Sequence, residues 1–231
     1  MLSATTITPY FGVSSCIEAR GFHRRPIYNI YHMTNAIWQV DEAMELGANA
    51  IESDVAFDKD GSAAWFYHGA PCDCFRRCQR YEEVPTLLRY LRRTTVPVHK
   101  ALNVLLSVAS VDDKELLLGA TETIRREMPE MMAKIGFDVS GNSELDPIEN
   151  LYRELHIDGH RWQGDGATNC ISYARTSWRI NSIIENRDAG EPSNFIEKAY
   201  QWTVDMPKHL RLALRCEFES PVRYTFDVLN V

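Results

Sequence analysis

The chain has 231 residues, of which 12 are glycine and 10 are proline, and it carries a formal net charge of -7. This composition is typical of globular proteins and excludes collagen-like and low-complexity disordered chains. No apolar run approaches the roughly 20 residues that a transmembrane helix needs, and no Lys/Arg-rich run offers a surface for nucleic acid. We therefore expect a soluble or membrane-peripheral protein without a nucleic-acid partner.

The N-terminus is a poor secretory signal. Residues 1–13 have neither a basic beginning nor a continuous apolar core. We expect residues 1–24 to be an N-terminal extension, with a truncated or degraded leader as an open alternative. Residues 25–231 are expected to form a single domain.

The first predicted elements are a strand, a helix and a second strand. The first strand is rich in β-branched and aromatic residues and ends at His32. The helix has apolar residues at 3.6-residue spacing, is capped by Thr34 or Asn35, and stops at Gly47. The second strand covers residues 48–57. This order predicts a parallel βαβ unit.

The rest of the chain continues the alternation of strands and helices. Further extended segments are predicted at residues 64–67, 101–108, 134–139, 160–164 and 199–205. Further helices are predicted at residues 112–128, 148–155 and 176–186, with one more around residues 89–92. This alternation predicts an α/β fold, either a (β/α) barrel or a doubly wound sheet.

Chemistry-bearing residues follow the predicted strands. In parallel α/β folds the functional residues gather at the carboxyl ends of the strands, where this chain has His32, Glu52, Asp54, His68 and Asp205. Glu52 and Asp54 are two residues apart on one strand and so share a face. Paired carboxylates repel unless a cation separates them, and Mg²⁺ commonly takes one or two protein carboxylates. The alternative is a strand edge with two solvated acids.

Two histidines flank this acidic pair in the sequence. His32 and His68 each end an extended run, so both could reach the same rim. Two histidines near a metal-bound phosphodiester form an acid–base set, in which one removes a proton from the attacking hydroxyl and the other protonates the leaving oxygen. Either histidine alone is more often a hydrogen-bonded structural residue.

Three of the six cysteines crowd one polar segment. The segment at residues 72–78 holds Cys72, Cys74 and Cys78. Their spacing gives no Cys-x-x-Cys pair of the kind that a zinc site uses. A disulfide-closed surface loop is the preferred interpretation, and free cytosolic thiols are the alternative.

Longer motifs surround these residues. Residues 47–55, followed by residues 67–69, resemble the glycerophosphodiester phosphodiesterase superfamily. Further motifs follow in order at residues 32–37, 57–58, 68–74, 138–142, 165–170, 186–188 and 202–205. Together they resemble the sphingomyelinase D (phospholipase D, dermonecrotic toxin) proteins of spider venoms and their arachnid relatives.

This resemblance implies a secreted, monomeric, Mg²⁺-dependent TIM-type (β/α)8 barrel with peripheral membrane contact. The implied reaction releases choline from sphingomyelin and lysophosphatidylcholine. In this reaction a hydroxyl of the substrate attacks phosphorus and gives a cyclic phosphate. His32 and His68 would be the catalytic acid–base pair, and Glu52 and Asp54 the metal ligands.

The resemblance also implies a headgroup pocket and two disulfides. Trp202 and Asp205 would bind the quaternary ammonium, which an indole face and a carboxylate both attract. The family's disulfides map onto two pairs, Cys72–Cys78 and Cys74–Cys170. Cys16 and Cys216 have no such partner.

One internal unit of the family is absent from this sequence. In the family, a strand that ends in a third metal-binding Asp precedes a helix at this point. Here residues 94–100 lead directly into the run at 101–108, and Asp112 and Asp113 belong to the next loop and helix. We therefore expect an incomplete barrel that lacks one strand–helix unit, and a weakened Mg²⁺ site.

The C-terminus also differs from the family. Residues 221–227 stand where the family has its final strand and a pocket Asn, and Tyr224 takes the approximate place of that Asn. The chain stops at Val231, without the family's terminal helix.

Two hypotheses follow. The chain is a Mg²⁺-dependent phospholipase D, or it is a catalytically impaired, truncated relative that binds lipid or has no function. A carboxylate such as Asp165 or Asp205 within reach of Glu52 and Asp54 would favour the first hypothesis.

Overall fold

Strands and helices alternate along the chain in a computed structural model that describes residues 28–59, 63–69, 72, 78–79, 81–96, 102–139, 144–157, 160–166, 178–189, 194–204 and 225–228. The strands are β1 Tyr28–Tyr31, β2 Ala50–Phe57, β3 Ala63–Phe66, β4 Asn103–Val108, β5 Ile135–Val139, β6 Trp162–Gly166, β7 Lys198–Val204 and β8 Thr225–Val228. The helices are α1 Ile37–Glu45, α2 Val84–Thr95, α3 Lys114–Glu127, α4 Leu145–Glu154 and α5 Trp178–Asp188. Short 3₁₀ turns at Val111–Asp113 and Pro129–Lys134 flank α3.

Seven parallel strands of the described residues form one curved sheet. Their order is β5-β4-β2-β1-β8-β7-β6, and β3 pairs antiparallel with β2 outside this path. The two edge strands approach each other at one isolated parallel bridge between Phe137 and Arg161, where the Phe137 N–H donates to the His160 carbonyl at 2.9 Å. This arrangement confirms the predicted α/β fold as an incomplete barrel of the TIM type.

The predicted loss of an internal unit is visible between β2 and β4. Only seven residues separate the end of α2 from the start of β4, too few for a strand and a helix. As a result β2 pairs directly with β4, from Ala50 opposite Asn103 to Asp54 opposite Ser107. The barrel wall therefore passes from β2 to β4 without an intervening strand.

The last strand of the barrel is present, although the sequence there diverges from the family. β8 pairs with β1 through Tyr28 and Thr225 on one side and with β7 on the other. The C-terminal divergence has therefore not removed this strand. Tyr224 and the last residues of the chain lie outside the described residues.

Hydrophobic side chains pack on both sides of the sheet. The outer cluster joins one face of the strands to the helices, for example Ile51 and Val104 to Leu87 and Ile183. The inner cluster contains strand residues alone, which are Ile30, Ala50, Leu105, Trp162 and Tyr200. Since side chains alternate along a strand, the inner cluster fills the barrel beneath Glu52 and Asp54.

None of the described helices is long and apolar enough to cross a membrane.

Candidate active site

The candidate site lies at the carboxyl ends of β1 and β2. His32 directly follows β1, and Glu52 and Asp54 belong to β2. His32 and Glu52 are 6% and 5% exposed, and the His32 Nε2 lies 3.7 Å from the Glu52 Oε2. A protonated His32 would therefore pair with a carboxylate that is itself largely withdrawn from water.

The backbone that follows His32 holds Glu52 in place. Met33 has a φ of 57°, a left-handed conformation that is uncommon for residues other than glycine. In this conformation the Met33 N–H donates to the Glu52 Oε2 at 3.0 Å. The Thr34 N–H donates to the Glu52 carbonyl at 2.8 Å, and the Ser53 hydroxyl donates to the Thr34 carbonyl at 2.6 Å. The loop at residues 33–35 thus continues to form hydrogen bonds with β2 beyond the end of β1.

Asn35 holds Asp54 in the same way. The Asn35 Nδ2 donates to the Asp54 Oδ2 at 3.1 Å, and the Asn35 Oδ1 accepts the Asp54 N–H at 3.1 Å. The prediction that Thr34 or Asn35 caps α1 is wrong, because Ala36 is the N-cap and makes no side-chain bond, while the Thr34 hydroxyl donates to the Tyr31 carbonyl. The contact of Asn35 with Asp54 could not be predicted from the sequence, because the spacing of the two residues gives no signal for it.

His68 reaches the end of β2 through the hairpin with β3. The Tyr67 N–H donates to the Asp54 carbonyl at 2.9 Å, so the chain runs back along β2 and places His68 one residue further on. His68 is half-buried, and the next residue, Gly69, has a φ of 85° that favours glycine. The hairpin therefore joins the second histidine to the strand that carries both acids.

Trp202 lies beside His32. The ring centroids of Trp202 and His32 are 6.1 Å apart with an interplanar angle of 20°, a stacked arrangement. Gly166 makes room for this tryptophan, since a Cβ at that position would lie 1.7 Å from the Trp202 carbonyl oxygen. Asp205, the second predicted pocket residue, lies outside the described residues.

No replacement for the missing third carboxylate is found in the described part of the chain. Asp165 is buried on the outer side of β6, where it pairs with Arg179 of α5 at 3.7 Å, and so it faces away from Glu52 and Asp54. Within the described ranges, no group of three or more His, Cys, Asp or Glu residues could hold a metal ion.

Asp138 of β5 forms a separate buried network inside the barrel. Its Oδ2 accepts the Ser107 hydroxyl at 2.9 Å and the Tyr200 hydroxyl at 2.8 Å, and its Oδ1 accepts the Gly164 N–H at 3.3 Å. Burial raises the pKa of Asp138 to about 6, although these hydrogen bonds oppose the shift. Asp138 thereby joins four strands, β4, β5, β6 and β7.

A disulfide joins Cys72 and Cys78, with their Cα atoms 5.6 Å apart. This is the first of the two pairs that the resemblance implies. Cys74 and Cys170, the second pair, lie outside the described residues together with Cys16 and Cys216.

Glu52 and Asp54 fit a divalent cation as a two-carboxylate site. Each carboxylate has one oxygen fixed by a protein N–H group, from Met33 and from Asn35, as is usual for carboxylates that bind metals. Mg²⁺ is commonly held by one or two carboxylates, with waters and substrate phosphate completing its octahedron. The site would carry less protein charge than one with three carboxylates.

The fold matches that of glycerophosphodiester phosphodiesterases. A glycerophosphoryl diester phosphodiesterase from Silicibacter pomeroyi superposes with a TM-score of 0.55 and 12% identity, covering 89% of this chain and 91% of that one. A glycerophosphodiester phosphodiesterase from Parabacteroides distasonis gives a TM-score of 0.55 and 15% identity, covering 89% and 94%. At these identities the likeness is one of fold, and it extends over most of each chain.

The amino-acid sequence assigns the chain to a narrower group of proteins than the fold does. The family model of dermonecrotic toxin SPH matches residues 22–101 and 95–222, two segments that overlap at residues 95–101, where the internal unit is missing. Dermonecrotic toxin SPH of Ixodes scapularis is 35% identical over 240 residues, covering 83% of this chain and 66% of the relative. Dermonecrotic toxin LarSicTox-alphaIII1 of Loxosceles arizonica is 35% identical over 245 residues, covering 86% and 88%.

The chain belongs to the dermonecrotic toxin SPH family. Both alignments are longer than the 231 residues of this chain, so the relatives carry residues for which it has none. This agrees with the direct pairing of β2 with β4.

Proposed function

We propose that this chain is a phospholipase D-type phosphodiesterase that releases choline from sphingomyelin and lysophosphatidylcholine. The observation that carries the proposal is the buried arrangement of His32 against Glu52, with Asp54 on the same strand face, in a member of the dermonecrotic toxin family. We propose His32 and His68 as the acid–base pair.

In the proposed reaction a hydroxyl of the lipid attacks its own phosphodiester. A bond forms between that oxygen and phosphorus, and the bond from phosphorus to the choline oxygen breaks, which leaves a cyclic phosphate. One histidine accepts the proton of the attacking hydroxyl, and the other donates a proton to the departing choline oxygen, so no net proton is consumed. Glu52, 3.7 Å from the His32 Nε2, would stabilise the protonated imidazole.

Glu52 and Asp54 are proposed to hold Mg²⁺. A bound Mg²⁺ would neutralise negative charge on the phosphate oxygens. Trp202 and Asp205 are proposed to bind the choline headgroup, and the stacking of Trp202 on His32 would keep that headgroup next to the acid–base residue.

The Cys72–Cys78 disulfide favours secretion, because disulfides persist in oxidising compartments. We therefore propose a secreted monomer that makes peripheral contact with membranes that contain choline phospholipids.

The structure also gives a reason to keep a second function under test, that of a non-catalytic lipid-binding relative. Asp165 faces away from the site, and β4, which lies next to β2 in place of the missing strand, offers Ser107 rather than a carboxylate opposite Asp54. A site with two carboxylates binds Mg²⁺ less tightly than one with three.

Choline release separates these two functions. We expect the full chain, produced under oxidising conditions, to release choline from sphingomyelin and lysophosphatidylcholine with Mg²⁺, and EDTA or His32→Ala to reduce the rate at least about 100-fold. His156→Asn, at an exposed histidine with a φ of 50°, is the matched control and should retain the rate. A folded chain that binds lipid vesicles without releasing choline would instead establish the non-catalytic function.

A further inference from the structure

Asn35 makes a two-point contact with Asp54. The Asn35 side chain donates through Nδ2 to the Asp54 carboxylate and accepts through Oδ1 from the Asp54 backbone N–H, both at 3.1 Å. The second contact fixes the orientation of the amide, because a backbone N–H can be satisfied only by the amide oxygen. The amide NH₂ must therefore face the carboxylate.

The position of this amide is itself fixed. Asn35 is 4% exposed, and its own N–H donates to the Gln39 Oε1 at 2.8 Å. The neighbouring Thr34 is fully buried and is tied to Tyr31 and Ser53. The side chain consequently has little freedom to turn away from Asp54.

A fixed donor on one oxygen determines where the other oxygen points. Within the described part of the chain, Asp54 accepts a side-chain hydrogen bond through Oδ2 alone. This orientation prepares Asp54 to offer an oxygen to a cation on the face that it shares with Glu52.

We propose that Asn35 is a positioning residue for a divalent cation, acting through Asp54 without touching the ion. This inference rests on the proposed Mg²⁺ site at Glu52 and Asp54. With only two carboxylates in that site, the orientation of each one governs a larger share of the affinity than it would among three.

The test measures Mn²⁺ binding to the full chain by electron paramagnetic resonance, with no substrate present. We expect Asn35→Ala to weaken Mn²⁺ binding about 10- to 100-fold, the range found for residues that orient metal ligands. Asn103→Ala is the matched control, because Asn103 lies at the other end of the adjacent strand β4 and bonds through its side chain to the Asn49 carbonyl. That variant should bind Mn²⁺ as the parent chain does.

A double-mutant cycle separates positioning from general disruption. If Asn35 acts through Asp54, Asn35→Ala should add no further loss of Mn²⁺ affinity in a chain that already carries Asp54→Asn. Asn35→Ser provides a second variant should Asn35→Ala fold poorly, because its hydroxyl can accept a hydrogen bond nearby but is too short to reach the carboxylate. We expect it to show the same loss.

The outcomes are distinct. Equal Mn²⁺ affinity in the parent chain, Asn35→Ala and Asn35→Ser would overturn the positioning role and leave the cation site standing. Equal additional losses in the Asp54 and Asp54→Asn backgrounds would show that Asn35 acts elsewhere. A folded parent chain that binds no Mn²⁺ would overturn the cation part of the proposed function and this inference with it.

Discussion

Glu52 combines a structural contact with a proposed chemical role. Its Oε2 accepts the N–H of Met33, a residue that is 4% exposed, and the same oxygen lies 3.7 Å from the His32 Nε2. A buried N–H group that loses its acceptor costs about 1–3 kcal/mol. Two substitutions separate these properties of Glu52, because Gln removes the charge and keeps an acceptor oxygen, whereas Ala removes both.

We expect Glu52→Gln to change the free energy of unfolding by less than about 1 kcal/mol, because the amide oxygen still accepts the Met33 N–H. Choline release should nevertheless fall at least about 100-fold, since the cation loses one of two charged ligands. Glu52→Ala should lose both activity and about 1–3 kcal/mol of stability. Urea unfolding and choline release measure the two effects, and a destabilisation by Glu52→Gln as large as that by Glu52→Ala would contradict the argument.

Only part of this site could be predicted from the sequence at the level of residues. Strand alternation puts Glu52 and Asp54 on one face, and the structure has both on β2. The contacts of Met33 and Asn35 could not be predicted. Met33 adopts a left-handed φ without being glycine, and an Asn just before a helix is normally interpreted as its cap.

Among the elements, β6 shows how glycine shapes the inside of the barrel. Gly164 and Gly166 alternate with buried residues, and a Cβ on Gly164 would lie 2.4 Å from the Tyr200 Cζ. Gly136 of β5 is in the same situation, with Trp162 atoms 2.7 Å from a Cβ. The inner aromatic residues fit because these positions carry no side chain.

We expect Gly164→Ala to destabilise the protein by about 1–3 kcal/mol, because the added methyl group overlaps a buried ring that is hydrogen-bonded to Asp138. Gly119→Ala is the matched control. Gly119 is exposed in α3, and a Cβ there meets nothing within 4 Å, so this change should stabilise the helix by roughly 0.5–1 kcal/mol. Urea unfolding of both variants tests the contrast, and a neutral Gly164→Ala would show that Tyr200 can move.

The same glycines explain an error in a predicted boundary. The sequence indicated a strand at residues 160–164, whereas β6 is Trp162–Gly166. Glycine normally weakens a strand, and nothing in one sequence shows that an aromatic side chain of the neighbouring strand will fill the space. Runs of β-branched and aliphatic residues, such as β4, were predicted to within two residues of their bounds.

At the scale of the whole molecule, the wall of the barrel has a seam between its two edge strands, β5 and β6. The seam between β5 and β6 has a single isolated bridge among the described residues. Side chains supplement it, since the Gln163 Nε2 donates to the Val139 carbonyl at 2.9 Å and Asp138 accepts the Gly164 N–H. Asp138 also receives bonds from β4 and β7, and thus links four strands across the seam.

This position makes stability depend on pH through Asp138. Burial raises its pKa from 3.8 to about 6, so the folded chain binds the proton more tightly than the unfolded chain does. The contribution of Asp138 to the free energy of unfolding is therefore complete below about pH 4 and falls between about pH 4 and pH 6, by about 3 kcal/mol in total.

We expect Asp138→Asn to remove this part of the pH dependence. An amide does not ionise, and in the place of Oδ2 its oxygen still accepts the hydroxyl groups of Ser107 and Tyr200. The amide NH₂ then takes the place of Oδ1 and faces the Gly164 N–H, which lowers the stability of the variant at every pH. Urea unfolding of both proteins at pH 4 and at pH 7 gives the comparison. The stability of the variant relative to the parent should rise by about 2 kcal/mol from pH 4 to pH 7, whatever its absolute offset, because the other titrating groups are common to both. Parallel pH profiles would show that the ionised carboxylate is well accommodated at the seam, in which case its hydrogen bonds across four strands outweigh the cost of burying the charge.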